Sequence, residues 1–261
     1  MWHHVTWATD FSDASEAALN FVLPLVERFG AKVALVHCVP DVISAYTSGD
    51  LLDPLPADLP VVLSRMQARE KESAMERLRA KAEQLRARGI STEVAVIEGD
   101  AHHALLEYAR ENGSDLIAIG TRGIRGWEQW LVGSTTARVM QGATMPVMSV
   151  CRVCEPRYES VLVPTDLSKS TIPALSYASA FAQAVGGVVH LLHVMEMLEG
   201  LSEREAMEKL EGIVHDRLNG MVQETVGSNV RIVCHVLRRH YAGAGIIEFV
   251  EEHEMHLVIM C

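Results

Sequence analysis

The stretch Gly120-Thr121-Arg122-Gly123, nine further residues and then Gly133-Ser134-Thr135 has the residue types and spacing to hold a phosphate. Glycine lacks a Cβ, so such a turn can take positive φ and bring main-chain N–H groups close to an anion. Gly133-Ser134-Thr135 then reads as a helix start, where unpaired N–H groups and the positive dipole end favour phosphate and two hydroxyls can donate. Asp10, at the end of a different apolar run, is an acceptor suited to a base amino group or a ribose hydroxyl.

Other reactive residue types have plainer readings. Cys151-Arg152-Val153-Cys154 has the spacing of a metal knuckle or redox pair, but structural zinc takes four ligands and no second C-x2-C exists. The neighbours in His3-His4 and His102-His103 point to different faces of a strand or helix, which suits packing or surface positions better than shared ligation. Trp127, Trp130 and Leu131 could stack on a base or pack against another subunit, and Arg122 and Arg125 could reach phosphate or simply be solvated.

These residues need strands and helices to position them. His3 to Ala8 reads as a strand, Ser12 as the cap of a helix with Asp13 and Glu16 in its first turn, and Gly30 as its stop. Ala31 to Cys38 is a β-branched strand, followed by a loop or partial lid rich in Pro, Asp and Leu up to about Pro60. A helix is predicted over Val61 to Arg88 with Gly89 as its stop. Strand Thr92 to Ile97, helix Ala101 to Asn112, strand Asp115 to Ile119, helix Gly133 to Gly142 and strand Pro146 to Cys151 complete the series. Such alternation predicts a parallel sheet covered on both faces, and right-handed crossovers make it a doubly wound α/β fold. In an open parallel sheet the ligand sits beyond the carboxyl ends of the strands where the order reverses, here after Asp10 and Gly120.

The chain then repeats itself. Val161 to Ser168 restates Val5 to Ser12, and Leu191-Leu192-His193-Val194 restates Leu35-Val36-His37-Cys38, both at an offset of 156. Later the offset falls to 141, with Ile246 to Phe249 at the place of Leu105 to Tyr108 and His256 to Met260 at that of Asp115 to Ile119. The 15-residue difference is expected chiefly in the Pro-rich insert. Cys261 falls opposite Gly120, so the second copy is expected to lack the glycine loop, the last helix and the fifth strand.

The chain has 261 residues, 49% hydrophobic and 22% charged, which fits two ordinary domains with substantial cores. A net charge of −11 supplies no positive field for gripping nucleic acid. No apolar run reaches the length of a spanning helix and no signal peptide is evident, so no membrane association is expected and the cytoplasm is the default location. Five cysteines, three of them in or beside strand-like runs, fit free thiols in a reducing compartment.

The pattern G-x2-G-x9-G-S after a strand beginning Asp115-Leu116-Ile117, together with Thr9-Asp10-Phe11-Ser12, His37 and Gly99-Asp100, resembles the ATP-binding subclass of the universal stress protein family. The resemblance covers residues 1–152 in full and 157–261 up to the fourth strand. It implies two tandem domains with those bounds and a Rossmann-like sheet of strand order 3-2-1-4-5. It also implies adenine near Thr9, Asp10 and the main chain around Cys38, with phosphates against Gly120, Gly123, Gly133, Ser134 and Thr135, in some members with a divalent metal such as Mg. Pairing through fifth strands, within one chain or as a homodimer, is a further implication. Two departures stand out: Ala8 replaces the Pro found at Pro164 in the second copy, and the second copy has Asp166 and His193 but no phosphate loop.

The expected function is a nucleotide-responsive stress module with one ATP site per chain and, lacking a P-loop lysine, at most slow hydrolysis. Two alternatives stand beside it. One is an adenylate-using enzyme or ATPase drawing a carboxylate such as Asp50 or Asp53 from the acidic insert, and the other is a nucleotide-free scaffold using an exposed sheet edge.

Overall fold

The structure is a computed structural model; it describes residues 1–41, 58–121, 133–150, 155–196, 204–225 and 230–261. The chain divides into two compact units, one spanning Trp2–Pro156 and the other holding Arg157–Cys261.

In the first unit, strands β1 (His4–Ala8), β2 (Lys32–Val39), β3 (Thr92–Glu98), β4 (Leu116–Gly120) and β5 (Val147–Val150) form one parallel sheet in the order β3-β2-β1-β4-β5. Four helices connect them: α1 (Asp13–Phe29), α2 (Leu59–Ala87), α3 (Ala101–Glu111) and α4 (Ser134–Gly142). The anticipated strand order is therefore the observed one. Ala34 and Val36 of β2 pack with Ile117, Ile119, Leu105, Ala109 and Val139, under α3 and α4. Trp7 and Leu35 alternate to the opposite face, where Trp7 Nε1 donates to the Ser15 carbonyl of α1 at 2.7 Å. Both faces are thus dry, which is why the strands read as continuous apolar runs rather than alternating ones.

Local chemistry sets the helix ends. Ser12 accepts from Ser15 N–H to start α1, and Gly30, at φ 64, turns left-handed to end it. Helix α2 begins at Leu59, before the predicted Val61, because Pro60 belongs to its first turn rather than to the preceding loop. Asp100 caps α3 by accepting from the N–H groups of His102 and His103.

The second unit repeats the plan with β6 (Ser160–Pro164), α5 (Thr171–Val185), β7 (Val188–Glu196), α6 (Arg204–Thr225), β8 (Ile232–Arg239), α7 (Ala242–Glu252) and β9 (Leu257–Val258). Its sheet is parallel in the order β8-β7-β6-β9, equivalent to the first four positions of the other sheet. One ion pair recurs with its charges exchanged. Lys71 of α2 meets Glu98 at 2.5 Å, while Glu211 of α6 meets Arg238, the residue that the β7–β8 register puts in the place of Glu98.

Candidate functional site

The carboxyl ends of β1 and β4, adjacent in the sheet, point their following loops to opposite faces and open a crevice between them. Four segments border it: Thr9 to Ser12, the end of β2, the end of β4, and the start of α4.

After β1 the chain enters a tight hydrogen-bonded knot. Thr9 Oγ1 meets Ser15 Oγ at 2.9 Å and accepts from Phe11 N–H at 2.8 Å. Thr9 N–H donates to the Val36 carbonyl at 2.9 Å, and the Thr9 carbonyl accepts from His37 Nδ1 at 2.8 Å, which makes Nδ1 the protonated ring nitrogen. Every polar group of Thr9 is engaged by protein, so Thr9 shapes the wall of the crevice without offering it a free donor or acceptor. Phe11 is held at φ 62, a left-handed value that a side chain rarely adopts. Its ring leans on His37 at 4.6 Å and carries the Arg77 guanidinium 3.8 Å above it. The second copy rebuilds the knot. Leu167 has φ 66, Leu167 N–H reaches Thr165 Oγ1 at 2.9 Å, and His193 Nδ1 donates to the Thr165 carbonyl at 2.8 Å. Replacing Thr9 with valine should leave Phe11 N–H without its acceptor and Ser15 Oγ with only its bond to the Ser12 carbonyl, and cost about 2 kcal/mol, read as a lower denaturation midpoint with an unchanged slope.

Asp10 stands at the rim. Its Oδ1 accepts from Ser12 N–H at 3.0 Å and from Ser12 Oγ at 2.5 Å. Partial burial pushes the carboxyl up, but the hydrogen bonds from Ser12 outweigh it and hold the group below its ordinary value. Asp10 is therefore an ionised acceptor at neutral pH.

The β2 backbone supplies the next edge. Lys32 N–H donates to the His3 carbonyl, and the Val36 carbonyl accepts from Thr9, so the even-numbered residues of β2 aim their main-chain groups at β1. Val33 N–H donates to Ser91 and the Val39 carbonyl accepts from Gly99, so the odd-numbered ones aim at β3. Since β1 stops at Ala8, the main chain of Cys38 faces the space past the end of β1 with no strand beside it. The thiol is unsuited to chemistry: burial, then the charge of Asp100, push it up to about 11, and it points its proton toward the Gly99 carbonyl at 3.6 Å.

Gly120 closes the end of β4, for a reason the sequence did not give. Its φ is not positive. A Cβ there would instead lie 2.4 Å from the Ala14 carbonyl carbon and oxygen and 2.5 Å from Ser15 N. The glycine lets the first turn of α1 press directly on β4. Gly133, by contrast, has φ −58, and a Cβ added to it would meet no described atom within 4 Å. It forms the N-cap of α4 without a side-chain cap, followed by exposed Ser134 and Thr135.

Sequence reasoning missed Thr136 and Gln67. Thr136 is buried and donates from Oγ1 to the Gly120 carbonyl at 3.2 Å, tying α4 to β4. Gln67, buried on α2, donates to Glu98 at 3.1 Å and to the Pro40 carbonyl at 3.5 Å, fixing the exit of β2. A threonine two residues past Gly-Ser was a readable signal; a glutamine within a highly charged helix was not. Gly123, Arg122, Arg125, Trp127, Trp130 and Leu131, with Asp50, Asp53, Cys151 and Cys154, lie outside the described residues. No helix among the described residues is long and apolar enough to cross a membrane, and no cluster of three or more ligating side chains there could hold a metal ion.

The sequence profile of the Universal stress protein family matches residues 1–150 and, a second time, 157–261. Universal stress protein YxiE of Bacillus subtilis is 26% identical over 150 residues, spanning 58% of this chain and 99% of that protein. Universal stress protein MJ0531 of Methanocaldococcus jannaschii is 27% identical over 151 residues, 58% of this chain and 82% of its own length. A crystal structure of a universal stress protein from Archaeoglobus fulgidus shares the fold, with a TM-score of 0.66 at 20% identity over 98% of this chain and 85% of that one. Matched in both halves and folded as two parallel α/β units, the chain belongs to the universal stress protein family, of which it carries two copies in tandem.

Proposed function

We propose that the first unit binds ATP in the crevice between β1 and β4 and that occupancy sets the protein's state as a regulatory module. What supports this reading is that three groups border one switch point: the ionised Asp10, whose Oδ1 is held by Ser12, the main chain of Cys38 beyond the end of β1, and the start of α4 at Gly133, which has no side-chain cap. An acceptor and a peptide edge suit a purine and its ribose, and a helix start with two hydroxyls suits the phosphates. Gly123 would complete the phosphate loop with Gly120, Ser134 and Thr135. A magnesium ion would travel with the phosphates, since the described side chains offer no cage of their own and this ion keeps most of its water.

The same reading has the protein working in the cytoplasm and pairing either between its own two units or with a second copy. Its domains run over 1–152 and 157–261, with the single nucleotide site in the first. Among the described residues that border the crevice none is set as a general base against the start of α4, and binding rather than turnover is the expected activity. The test is titration of ATP into the purified full chain by calorimetry, after release and chromatography of any nucleotide that survives purification. Saturable heat near one ATP per chain, with no phosphate released, supports the module; absence of heat and of co-purified nucleotide rejects it; rapid phosphate release would favour an enzyme.

A further inference from the structure

The second unit carries a feature that the first lacks, on the sheet face covered by α7. Leu162, Leu192, Val194 and Phe249 form the core there, with Leu237, Ile246 and Val250 packed around them. Into this apolar layer the chain inserts two histidines. His190 of β7 and His235 of β8 stack with ring planes 13° apart, and His190 Nδ1 lies 3.0 Å from His235 Nε2. His235 meets the Phe249 ring edge-on at 4.8 Å, and His253, the residue that ends α7, stacks on Phe249 at 4.0 Å. The equivalent residues of the first copy, by the β2–β3 and β7–β8 registers, are Ala34 and Ala95, both part of an ordinary apolar core.

A nitrogen-to-nitrogen hydrogen bond between two imidazoles requires one ring to be neutral, because two doubly protonated rings would set N–H against N–H. The pair can keep its contact with one added proton but not with two. Its surroundings offer a second proton no compensation. The titratable and charged groups that act on it are His253 at the end of α7, Arg231 at the start of β8 and, from α6, His215, all neutral or cationic, and the uncharged Phe249 ring of α7 packs against His235. Of the carboxylates on α7, Glu248 is held by Arg239, and Glu251 and Glu252 are solvent-exposed. Glu211 on α6 is held by Arg238. Among the described residues no carboxylate hydrogen-bonds either ring.

We propose that the second unit is an acid-responsive module, in which protonation of the His190–His235 pair breaks its contact and loosens α7 from β7 and β8. This goes beyond nucleotide binding and does not depend on it. Burial, reinforced by His190, His253 and His215, pushes His235 down to about 4 from an ordinary 6.5, and burial with His253 and Arg231 pushes His190 down. The sign follows from linkage. The unfolded rings take up protons as pH falls through 6.5 while the folded pair resists, so the unit keeps its full stability above 6.5 and loses it progressively toward about 4.

Amide hydrogen exchange on the full chain, corrected for intrinsic rates, tests this as pH is lowered from about 7 to about 4.5. Expected is at least about tenfold faster exchange in β7, β8 and α7, equivalent to one pKa unit of linkage, and no such change in β1 to β5. The double substitution His190→Ala and His235→Ala, which installs the first copy's residues, should abolish the difference. An equal acid response in that variant, or loosening of both units together, overturns the proposal. Should the variant fail to fold, imidazole titration by NMR on the unsubstituted chain decides: both rings staying neutral well below 6.5 supports the device, and both titrating as free histidines overturns it.

Discussion

Gly120→Ala should destabilise the first unit by about 3 kcal/mol or more, a fall in Tm of at least about 6 °C for a unit of this size. The added methyl would land 2.4 Å from the main chain of Ala14, and a peptide backbone cannot swing aside as a side chain can. Relief requires the first turn of α1 to lift. That turn is pinned by Trp7 Nε1 on the Ser15 carbonyl, by Ser15 Oγ donating to the Ser12 carbonyl at 2.8 Å, and by the Thr9 hydroxyl. Lifting it strains buried hydrogen bonds whose loss costs about 1 kcal/mol each. It also drags Ser12 from Asp10, so nucleotide affinity should fall with stability. Thermal melting of the variant with and without ATP checks both. A loss below about 1 kcal/mol would show that α1 does not sit as closely on β4 as described.

Gly133→Val should do the opposite, removing ATP binding while leaving the fold nearly intact. Its φ of −58 is open to any residue and the space where a Cβ would go is empty of described atoms. Among the described residues nothing requires glycine there. Valine is a poorer N-cap than glycine, which limits the stability cost to about 1 kcal/mol, but its branched side chain would stand where the proposed site has phosphates approach the start of α4. Calorimetry should show no saturable heat from the variant at ATP concentrations that saturate the unsubstituted chain, with Tm lowered by only about 2 to 4 °C. Unchanged affinity would move the phosphates away from α4 and leave Gly133 as a plain helix start. The two substitutions thus separate a glycine that the fold needs from one that the proposed nucleotide site would need.

Much of this architecture was legible because each layer of the chain repeats a physical pattern. Apolar runs such as Leu116 to Ile119 must be buried on both faces, helices between them force parallel pairing, and the two-fold recurrence of Thr-Asp-x-Ser announced the second unit. The start of α2 was misjudged because Pro60 was read as a breaker, although proline is welcome in a first turn. The role of Gly120 was hidden for a different reason: its neighbour Ala14 is distant in sequence, and only packing shows that a Cβ would collide with it. Phe11 and Leu167 were invisible as left-handed residues, since neither type favours that conformation. Their shared offset was the available clue. At the site, Asp10 and the glycines could be named from type and spacing, while the free edge at Cys38 depends on where β1 stops and on the parity of β2.

The exchanged ion pair in the two units bears on how the chain avoids misassembly. Two homologous copies on one polypeptide risk trading helices during folding, a failure to which tandem repeats are prone. Were α6 to dock on the first sheet, Glu211 would face Glu98; were α2 to dock on the second, Lys71 would face Arg238. Each native pair, half-exposed, adds little to stability, yet both crossed pairings set like charges together. The reversal of sign thus adds a small bias against both crossed pairings rather than extra stability to either native one.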